Sequence, residues 1–181
     1  ASGGTELGVE LGARSVDHLP YVSERGIELL ADSDTVAVLL PATTFFLFKE
    51  HYAPGRRLVA AGAIVALASD HNPGSSHTLD YFRVLELAVM RCGLTVEEAL
   101  VAATINAAYA VDRHDRIGSL EPGKQADLAI TDVYRPAELI YGWGVNHVTG
   151  VVKRGKLINR RRSHHRETRK PPRNLSRLFH D

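Results

Sequence analysis

The strongest chemical signal in the sequence is an acidic residue that follows an apolar run. Residues 64–68 read Ile-Val-Ala-Leu-Ala, and Asp70 comes two residues later. Such a run is typical of a parallel strand buried on both faces, and Asn-Pro-Gly at 72–74 ends it. A buried carboxylate is costly unless it is paired or bound to a metal, and the carboxyl ends of barrel strands carry the chemistry of α/β barrels. Asp70 is therefore a candidate metal ligand, and the alternative is that it only caps the following turn.

A histidine stands at a second predicted strand end. Residues 13–18 read as a strand that ends in Asp17 and His18. An imidazole at this position can polarise a carbonyl oxygen or move a proton near neutral pH. From the spacing alone, a hydrogen-bonded structural histidine is the favoured interpretation of His18. His71, next to Asp70, is assigned to an exposed loop.

These residues require an ordered set of strands and helices. A third apolar run, Thr35 to Leu40, is stopped by Pro41, so strand ends fall at His18, Leu40 and Asp70, 22 and 30 residues apart. This is βαβα spacing, which predicts parallel strands joined by helical crossovers. Helices are predicted over about 1–12, 24–33, 54–61 and 79–92. Ser23 can cap the second of these helices, and Gly62 can close the third.

The rest of the chain changes in character. Thr43 to Phe46 is predicted to be a loop in which Thr43 and Thr44 line the pocket or cap the loop. The capping box at 95–98 predicts a helix that continues to about Val111. After it, the sequence is turn-rich, and residues 148–159 predict a hairpin around Arg154 and Gly155. Trp143 is assigned to the core.

Composition limits the classes of protein. The chain has 181 residues, of which 44% are apolar and 24% charged, which suits a globular protein with one core. It is too short to close a full (β/α)₈ barrel, which needs about 250 residues. Its single cysteine, Cys92, allows no disulfide within the chain and favours a reducing cytoplasm. No apolar run approaches the roughly 20 residues of a membrane helix, and no signal peptide is recognised, so no membrane partner is expected.

Charge is segregated along the chain. The net charge is +1, but residues 160–181 hold eight Lys and Arg against two Asp and Glu. This tail is predicted to be disordered, and a solvated end is the favoured interpretation. A mildly acidic body with a basic tail is not typical of a nucleic-acid-binding domain, so nucleic acid is not expected as a partner.

Several motifs together resemble one family. Residues 68–76 read Ala-Ser-Asp-His-Asn-Pro-Gly-Ser-Ser, which resembles the A-T-D-F-N-P-G-S-S of the eighth strand in imidazolonepropionases, metal-dependent amidohydrolases of histidine degradation. Residues 35–41 match T-V-A-V-L-L-P, and residues 104–108 match T-I-N-A-A. The stretch from 118 to 128 is shared more widely among amidohydrolases. His71 is the mismatch, since the family usually carries an aromatic residue there.

The resemblance implies an α/β fold. Residues 1–114 would be the last three strands and helices of an amidohydrolase (β/α)₈ TIM barrel. Residues 115–159 would be strands of a small β-sandwich domain, followed by the basic tail, 160–181. The family hydrolyses 4-imidazolone-5-propanoate, a cyclic amide, to N-formimidoyl-L-glutamate. The implied partners are this small-molecule substrate and a second copy in a homodimer.

The resemblance also assigns roles to individual residues. Asp70 would be a ligand of a single Zn or Fe ion and would shuttle a proton, and His18 would be the second catalytic residue. Asn72, Gly74 and Ser75 would bind the substrate or the product.

The departures from the family pattern are as informative as the matches. No two histidines are separated by one residue, so the His-x-His pair of the first strand is absent. The histidine ligand of the fifth strand would precede residue 1. Of the expected metal ligands only Asp70 remains, and the chain, taken as a carboxyl-terminal portion, is expected to be inactive alone. The alternatives are a non-catalytic half-barrel that needs a partner chain, and another cyclic-amide amidohydrolase, such as a relative of cytosine deaminase or dihydroorotase.

Overall fold

Three short strands form a parallel sheet at the centre of the molecule. The computed structural model describes residues 3–160, so the predicted tail lies outside it apart from its first residue. Strands β1 (Ser15–Asp17), β2 (Val36–Leu39) and β3 (Val65–Leu67) pair in the order β1-β2-β3, and both pairings are parallel. The predicted strands and helical crossovers are therefore confirmed.

Eight helices accompany these strands in the described residues. Most of the predicted helices are present, with ends shifted by a few residues. Their bounds are α1 (Gly4–Glu10), α2 (Glu24–Ala31), α3 (Pro41–Phe46), α4 (Gly55–Ala61), α5 (Tyr81–Cys92), α6 (Val96–Ala103), α7 (Ile105–Ala110) and α8 (Glu138–Tyr141).

The sheet is covered on both faces. Leu39 and Leu67 point into the larger core cluster with residues of α2, α4, α5 and α6. Val36, Val38 and Ala66 belong to a second cluster, against which α7 packs. Burial on both faces explains why the strands read as continuous apolar runs. No helix among residues 3–160 is long and apolar enough to cross a membrane.

Local signals set several helix ends. The Ser23 side chain caps α2 by accepting a hydrogen bond from the main-chain N–H of Gly26. Thr95 and Glu98 form the predicted capping box at the start of α6. Gly62 ends α4 in the left-handed conformation, with a φ of 95°. These ends were predicted because each depends on a few neighbouring residues.

Two predictions about helices were wrong. Residues 43–46 are not a loop but belong to α3, because Pro41 stands in the first turn with a φ suited to a helix. The helix predicted from 95 to about Val111 is broken at Thr104, whose φ and ψ are −121° and −91°. The Thr104 hydroxyl donates to the carbonyl of Leu100, four residues earlier, a bond that often bends helices.

A second, antiparallel sheet follows. It contains β4 (Leu128–Thr131), β5 (Val148–Lys153) and β6 (Lys156–Arg160) in that order. The predicted hairpin is confirmed: Arg154 and Gly155 have φ of 50° and 74°, as a type I′ turn requires. Asp127 accepts hydrogen bonds from the Lys153 ammonium and the Arg154 N–H, which lower the pKa of its carboxyl to about 2. This region contains one three-stranded sheet, and the β-sandwich stays a prediction.

A buried ion pair within α5 contacts the segment that follows α8. Glu86 is fully buried and pairs with Arg83 at 2.5 Å. Burial raises the pKa of Glu86, while Arg83 and the N–H of Gly144 oppose that rise. The Arg83 guanidinium lies 4.4 Å from the ring centre of Trp143. Trp143 is 52% exposed, so its assignment to the core was wrong. Its ring forms a cation–π contact with Arg83 instead.

Candidate functional site

The two candidate catalytic residues lie beyond the carboxyl ends of parallel strands. His18 directly follows β1, and Asp70 follows β3 by three residues. Because the strands are parallel, both residues lie at the end of the sheet where the strands terminate, one after each outer strand. Their φ angles are 71° and 48°, in the left-handed region that residues other than glycine seldom occupy. Such backbone conformations cluster at functional sites, where the surrounding structure holds them in place.

The Asp70 carboxylate is anchored through one of its two oxygens. The hydroxyl of Thr43, in the first turn of α3, donates to Asp70 Oδ2 at 2.7 Å. Thr43 is 5% exposed, whereas Asp70 is only partly buried. Among residues 3–160, no group donates a hydrogen bond to Asp70 Oδ1. One oxygen is therefore held by the protein, and the other is available to a cation or a proton.

Asn72 organises the turn after Asp70. Its carbonyl oxygen Oδ1 accepts the main-chain N–H groups of Gly74 and Ser75, each at 2.8 Å. Its amide nitrogen Nδ2 donates to the carbonyl of Asp70 at 2.7 Å and to Ser75 Oγ at 2.9 Å. The structure thus brings the three predicted substrate-binding residues together with Asp70 in one hydrogen-bonded turn.

The strand that carries Asp70 is held by side chains as well as by β2. Three alternate carbonyls between residues 65 and 69 accept side-chain hydrogen bonds. Val65 accepts from Asn106 at 2.8 Å, Leu67 from Tyr81 at 2.6 Å and Ser69 from Ser76 at 2.7 Å. Burial raises the pKa of Tyr81 to about 12. Its hydroxyl therefore remains a donor at neutral pH, and these contacts fix the backbone up to Asp70.

The His18 end of the site is built differently. The N–H of His18 donates to the carbonyl of Val38, which keeps the residue in the register of β1. Its side chain is exposed, and within the described residues its ring forms no hydrogen bond. The ring borders a cleft of about 340 Å³ between α1 and residues 16–23. Glu6 of α1 accepts a hydrogen bond from Ser23 across this cleft.

The residues present fit one position of a metal site. A carboxylate with a free oxygen is a suitable zinc ligand, and Asp70 meets that condition. Zinc sites need three or four protein ligands. Over residues 3–160, no group of three or more His, Cys, Asp or Glu side chains is arranged to hold a metal. In this part of the chain, Asp70 could supply one ligand of a larger set.

Three contributors to the site were missed or left undecided at the level of sequence. The sequence left open whether Thr43 lines the pocket or caps a loop. In the structure, its hydroxyl donates a hydrogen bond to Asp70. Ser76 and Tyr81 support the strand, but their types and spacing gave no signal for those contacts. The exposed position of His71 is confirmed. His77 stacks on Phe46 with ring centres 5.6 Å apart.

Comparison with known proteins places these features in a family context. Residues 9–158 match the amidohydrolase family model. The imidazolonepropionase of Geobacillus kaustophilus is 50% identical over 156 residues, and that of Bacillus cytotoxicus is 46% identical over 155 residues. Each alignment covers 86% of this chain and 37% of the relative. The resemblance seen in the sequence motifs is thereby confirmed.

The fold agrees with these matches. An adenosine deaminase from Xanthomonas campestris, solved with bound zinc, superposes with a TM-score of 0.74 at 29% identity. The match covers 82% of this chain and 37% of that chain. The chain thus spans 37% of the length of the curated relatives described above.

Proposed function

Because this chain belongs to the amidohydrolase family, we propose that it forms the carboxyl-terminal part of an imidazolonepropionase. The enzyme would hydrolyse 4-imidazolone-5-propanoate to N-formimidoyl-L-glutamate in histidine degradation. The identity of about half of the aligned residues with relatives of that name supports this substrate. The remaining ligands and substrate contacts would come from outside the described residues.

One observation carries the proposal: the anchored carboxylate and the Asn72 turn occupy one strand end. Asp70 presents a free oxygen, and Asn72, Gly74 and Ser75 follow it within a single hydrogen-bonded turn. A metal ligand and polar groups for a heterocycle are therefore adjacent. This arrangement suits a hydrolase that must hold a cyclic amide beside a metal ion.

The metal in this proposal is a single divalent ion, zinc or iron. When bound, such an ion lowers the pKa of a coordinated water towards 7 and so supplies a nucleophile at neutral pH. In this chain, Asp70 would hold it through Oδ1, because Thr43 occupies Oδ2. A zinc-bound structural neighbour supports a divalent metal but does not choose between the two.

The chain's own residues would then perform distinct steps. Asp70 accepts the proton of the attacking water and delivers it to the ring nitrogen as the C–N bond breaks. The His18 imidazole polarises the carbonyl oxygen of the substrate. The turn from Asn72 to Ser75 binds the polar edges of substrate and product, since Gly74 has no side chain to keep the ligand away from the main chain.

The test is an activity measurement on the full-length enzyme that contains this chain. The purified protein, loaded with zinc or iron, is incubated with 4-imidazolone-5-propanoate, and N-formimidoyl-L-glutamate is quantified. Dihydroorotate and cytosine serve as comparison substrates. We expect turnover of the imidazolone alone. Turnover of a comparison substrate instead would identify another cyclic-amide amidohydrolase, and no turnover by the metal-loaded protein would contradict the proposal.

A non-catalytic half-barrel that needs a partner chain is the second candidate. It is favoured by one observation, that residues 3–160 hold no group of three metal-ligating side chains. A His-x-His motif encoded upstream in the same reading frame would favour the enzyme over this candidate.

The further proposals of a homodimer and a cytoplasmic location rest on the family resemblance and on the single free cysteine, Cys92.

A further inference from the structure

We propose that Thr43 is a positioning residue that fixes the orientation of the Asp70 carboxylate, so that the oxygen it does not contact faces the metal ion. This inference rests on the proposed function, because it assumes that Asp70 binds a metal. It concerns a contact between Thr43 and Asp70, which lie 27 residues apart in the chain and follow neighbouring strands.

The geometry of α3 makes Thr43 suitable for this role. Pro41 stands in the first turn of the helix directly after β2, so Thr43 is placed beside the end of the neighbouring strand, β3. A threonine in a helix often donates its hydroxyl to a carbonyl three or four residues earlier. Thr43 instead donates to Asp70 Oδ2 at 2.7 Å, so its hydroxyl is committed to the carboxylate.

Burial makes the contact selective. Thr43 is 5% exposed, and the β-branched side chain has few rotamers, so its hydroxyl is held in one place. The partly exposed carboxylate keeps Oδ1 free of hydrogen bonds from the described residues. Without the hydroxyl, the carboxylate would be free to rotate about its terminal bond, and the direction in which its oxygen faces the metal would no longer be fixed.

Groups that hydrogen-bond to metal ligands affect affinity in a known range. Removing such a group typically weakens metal binding or activity by 10–100-fold, because the ligand loses its orientation. Thr43 meets the structural condition for such a group, since it contacts the candidate ligand and is buried. Its contribution would therefore appear in metal affinity and ligand geometry.

The neighbouring Thr44 provides a matched control. It has the same side chain, lies in the same helix and is partly buried. Within residues 3–160, its hydroxyl forms no hydrogen bond. Thr44→Val thus tests the effect of replacing a threonine in α3 without touching Asp70.

The experiment compares wild type, Thr43→Val, Thr43→Ser and Thr44→Val in the full-length enzyme. Zinc affinity is measured by competition with a chelator, and the metal geometry is followed by the visible absorption of the cobalt-substituted proteins. Far-ultraviolet circular dichroism checks folding. If Thr43→Val does not fold, Thr43→Ala is compared with Thr43→Ser in its place.

We expect Thr43→Val to bind zinc about 10–100-fold more weakly and to change the cobalt spectrum. Thr43→Ser keeps the hydroxyl and should restore both properties, and Thr44→Val should match wild type. Wild-type affinity and spectrum in Thr43→Val would overturn the inference and leave the proposed function intact. Equal losses in Thr43→Val and Thr44→Val would also overturn it, because they would show a general effect on α3. A wild-type enzyme that neither binds metal nor hydrolyses the imidazolone would overturn the proposed function itself.

Discussion

The loops after β3 and β1 differ in how much of their structure this chain supplies. The loop after β3 is held by Thr43, by the Asn72 turn and by the Ser76 hydroxyl. The loop after β1 carries an exposed His18 whose ring forms no hydrogen bond among the described residues. Both loops contain a residue in the left-handed conformation: His18 directly after β1, and Asp70 three residues after β3.

The difference indicates that one half of the site is organised within this chain. The Asp70 side has internal partners for its main chain and for one carboxylate oxygen. The His18 side borders an open cleft between α1 and residues 16–23, and its ring has no hydrogen-bond partner among the described residues. We therefore expect substitutions at the two sites to have separable effects on metal binding and on catalysis.

The largest effect is expected for Asp70→Asn. The amide keeps the size of the side chain but removes the charge that would hold the proposed metal ion. We expect loss of bound metal and a fall in kcat/KM of about 10³-fold or more, since a metal contributes several kcal/mol of transition-state stabilisation. Metal analysis and steady-state kinetics measure both, with exposed Asp115→Asn as the control. Retained metal and activity would rule out Asp70 as a ligand.

His18→Asn should separate catalysis from metal binding. We expect kcat to fall by about 10²–10⁴-fold, which is the usual contribution of a general acid or base, with the metal content unchanged. His51→Asn changes another exposed histidine and should leave kcat as in wild type. Loss of metal in His18→Asn would show that the two halves of the site are not separable in this way.

Asn72→Ala tests whether the Asp70 loop is held by its own hydrogen bonds. The main-chain N–H groups of Gly74 and Ser75 would lose their acceptor. At about 0.5–1.5 kcal/mol for each bond, their hydrogen exchange should become up to about tenfold faster. The amides of His18, Leu19 and Tyr21 should exchange as in wild type. Unchanged protection at 74 and 75 would mean that other contacts hold the loop.

The smallest effect is expected for Tyr81→Phe, which removes the hydroxyl from the carbonyl of Leu67. Loss of this bond should cost about 1 kcal/mol of stability near neutral pH. The pKa of Tyr81 is raised by burial to about 12, so the folded protein favours the neutral phenol. The contribution of the neutral Tyr81 phenol to the free energy of unfolding is complete below the ordinary tyrosine pKa near 10. It is lost as the pH rises towards 12.

Alkaline unfolding measures this contribution directly. Wild type should lose more stability than Tyr81→Phe between about pH 10 and pH 12, so the two unfolding curves should converge. Parallel curves would show that burial does not raise the pKa of Tyr81.

Much of the framework followed from the sequence. Continuous apolar runs and their spacing predicted the three parallel strands, and the capping residues predicted several helix ends. The Thr-Thr-Phe-Phe stretch favoured a loop because these residues are weak helix formers, yet Pro41 and packing against α5 produce α3. The break at Thr104 had no signal in the sequence, since Thr is tolerated within helices.

The site was only partly predictable for a different reason. Asp70 and the Asn72 turn are local in the sequence, so one motif identified them together. The bond from Thr43 to Asp70 depends on the adjacency of β2 and β3 and on the start of α3. The support of Leu67 by Tyr81 likewise needs the helix to fold back along the strand. Such contacts are set by tertiary structure.

The most direct test of the account is to locate the metal by anomalous X-ray scattering in crystals of the zinc-loaded, full-length enzyme. We predict a single zinc ion about 2.0–2.2 Å from Asp70 Oδ1, with Oδ2 still bonded to Thr43. A zinc ion bound elsewhere, or bound through Oδ2 with the Thr43 contact broken, would contradict the claim that this chain supplies a pre-organised half of the site.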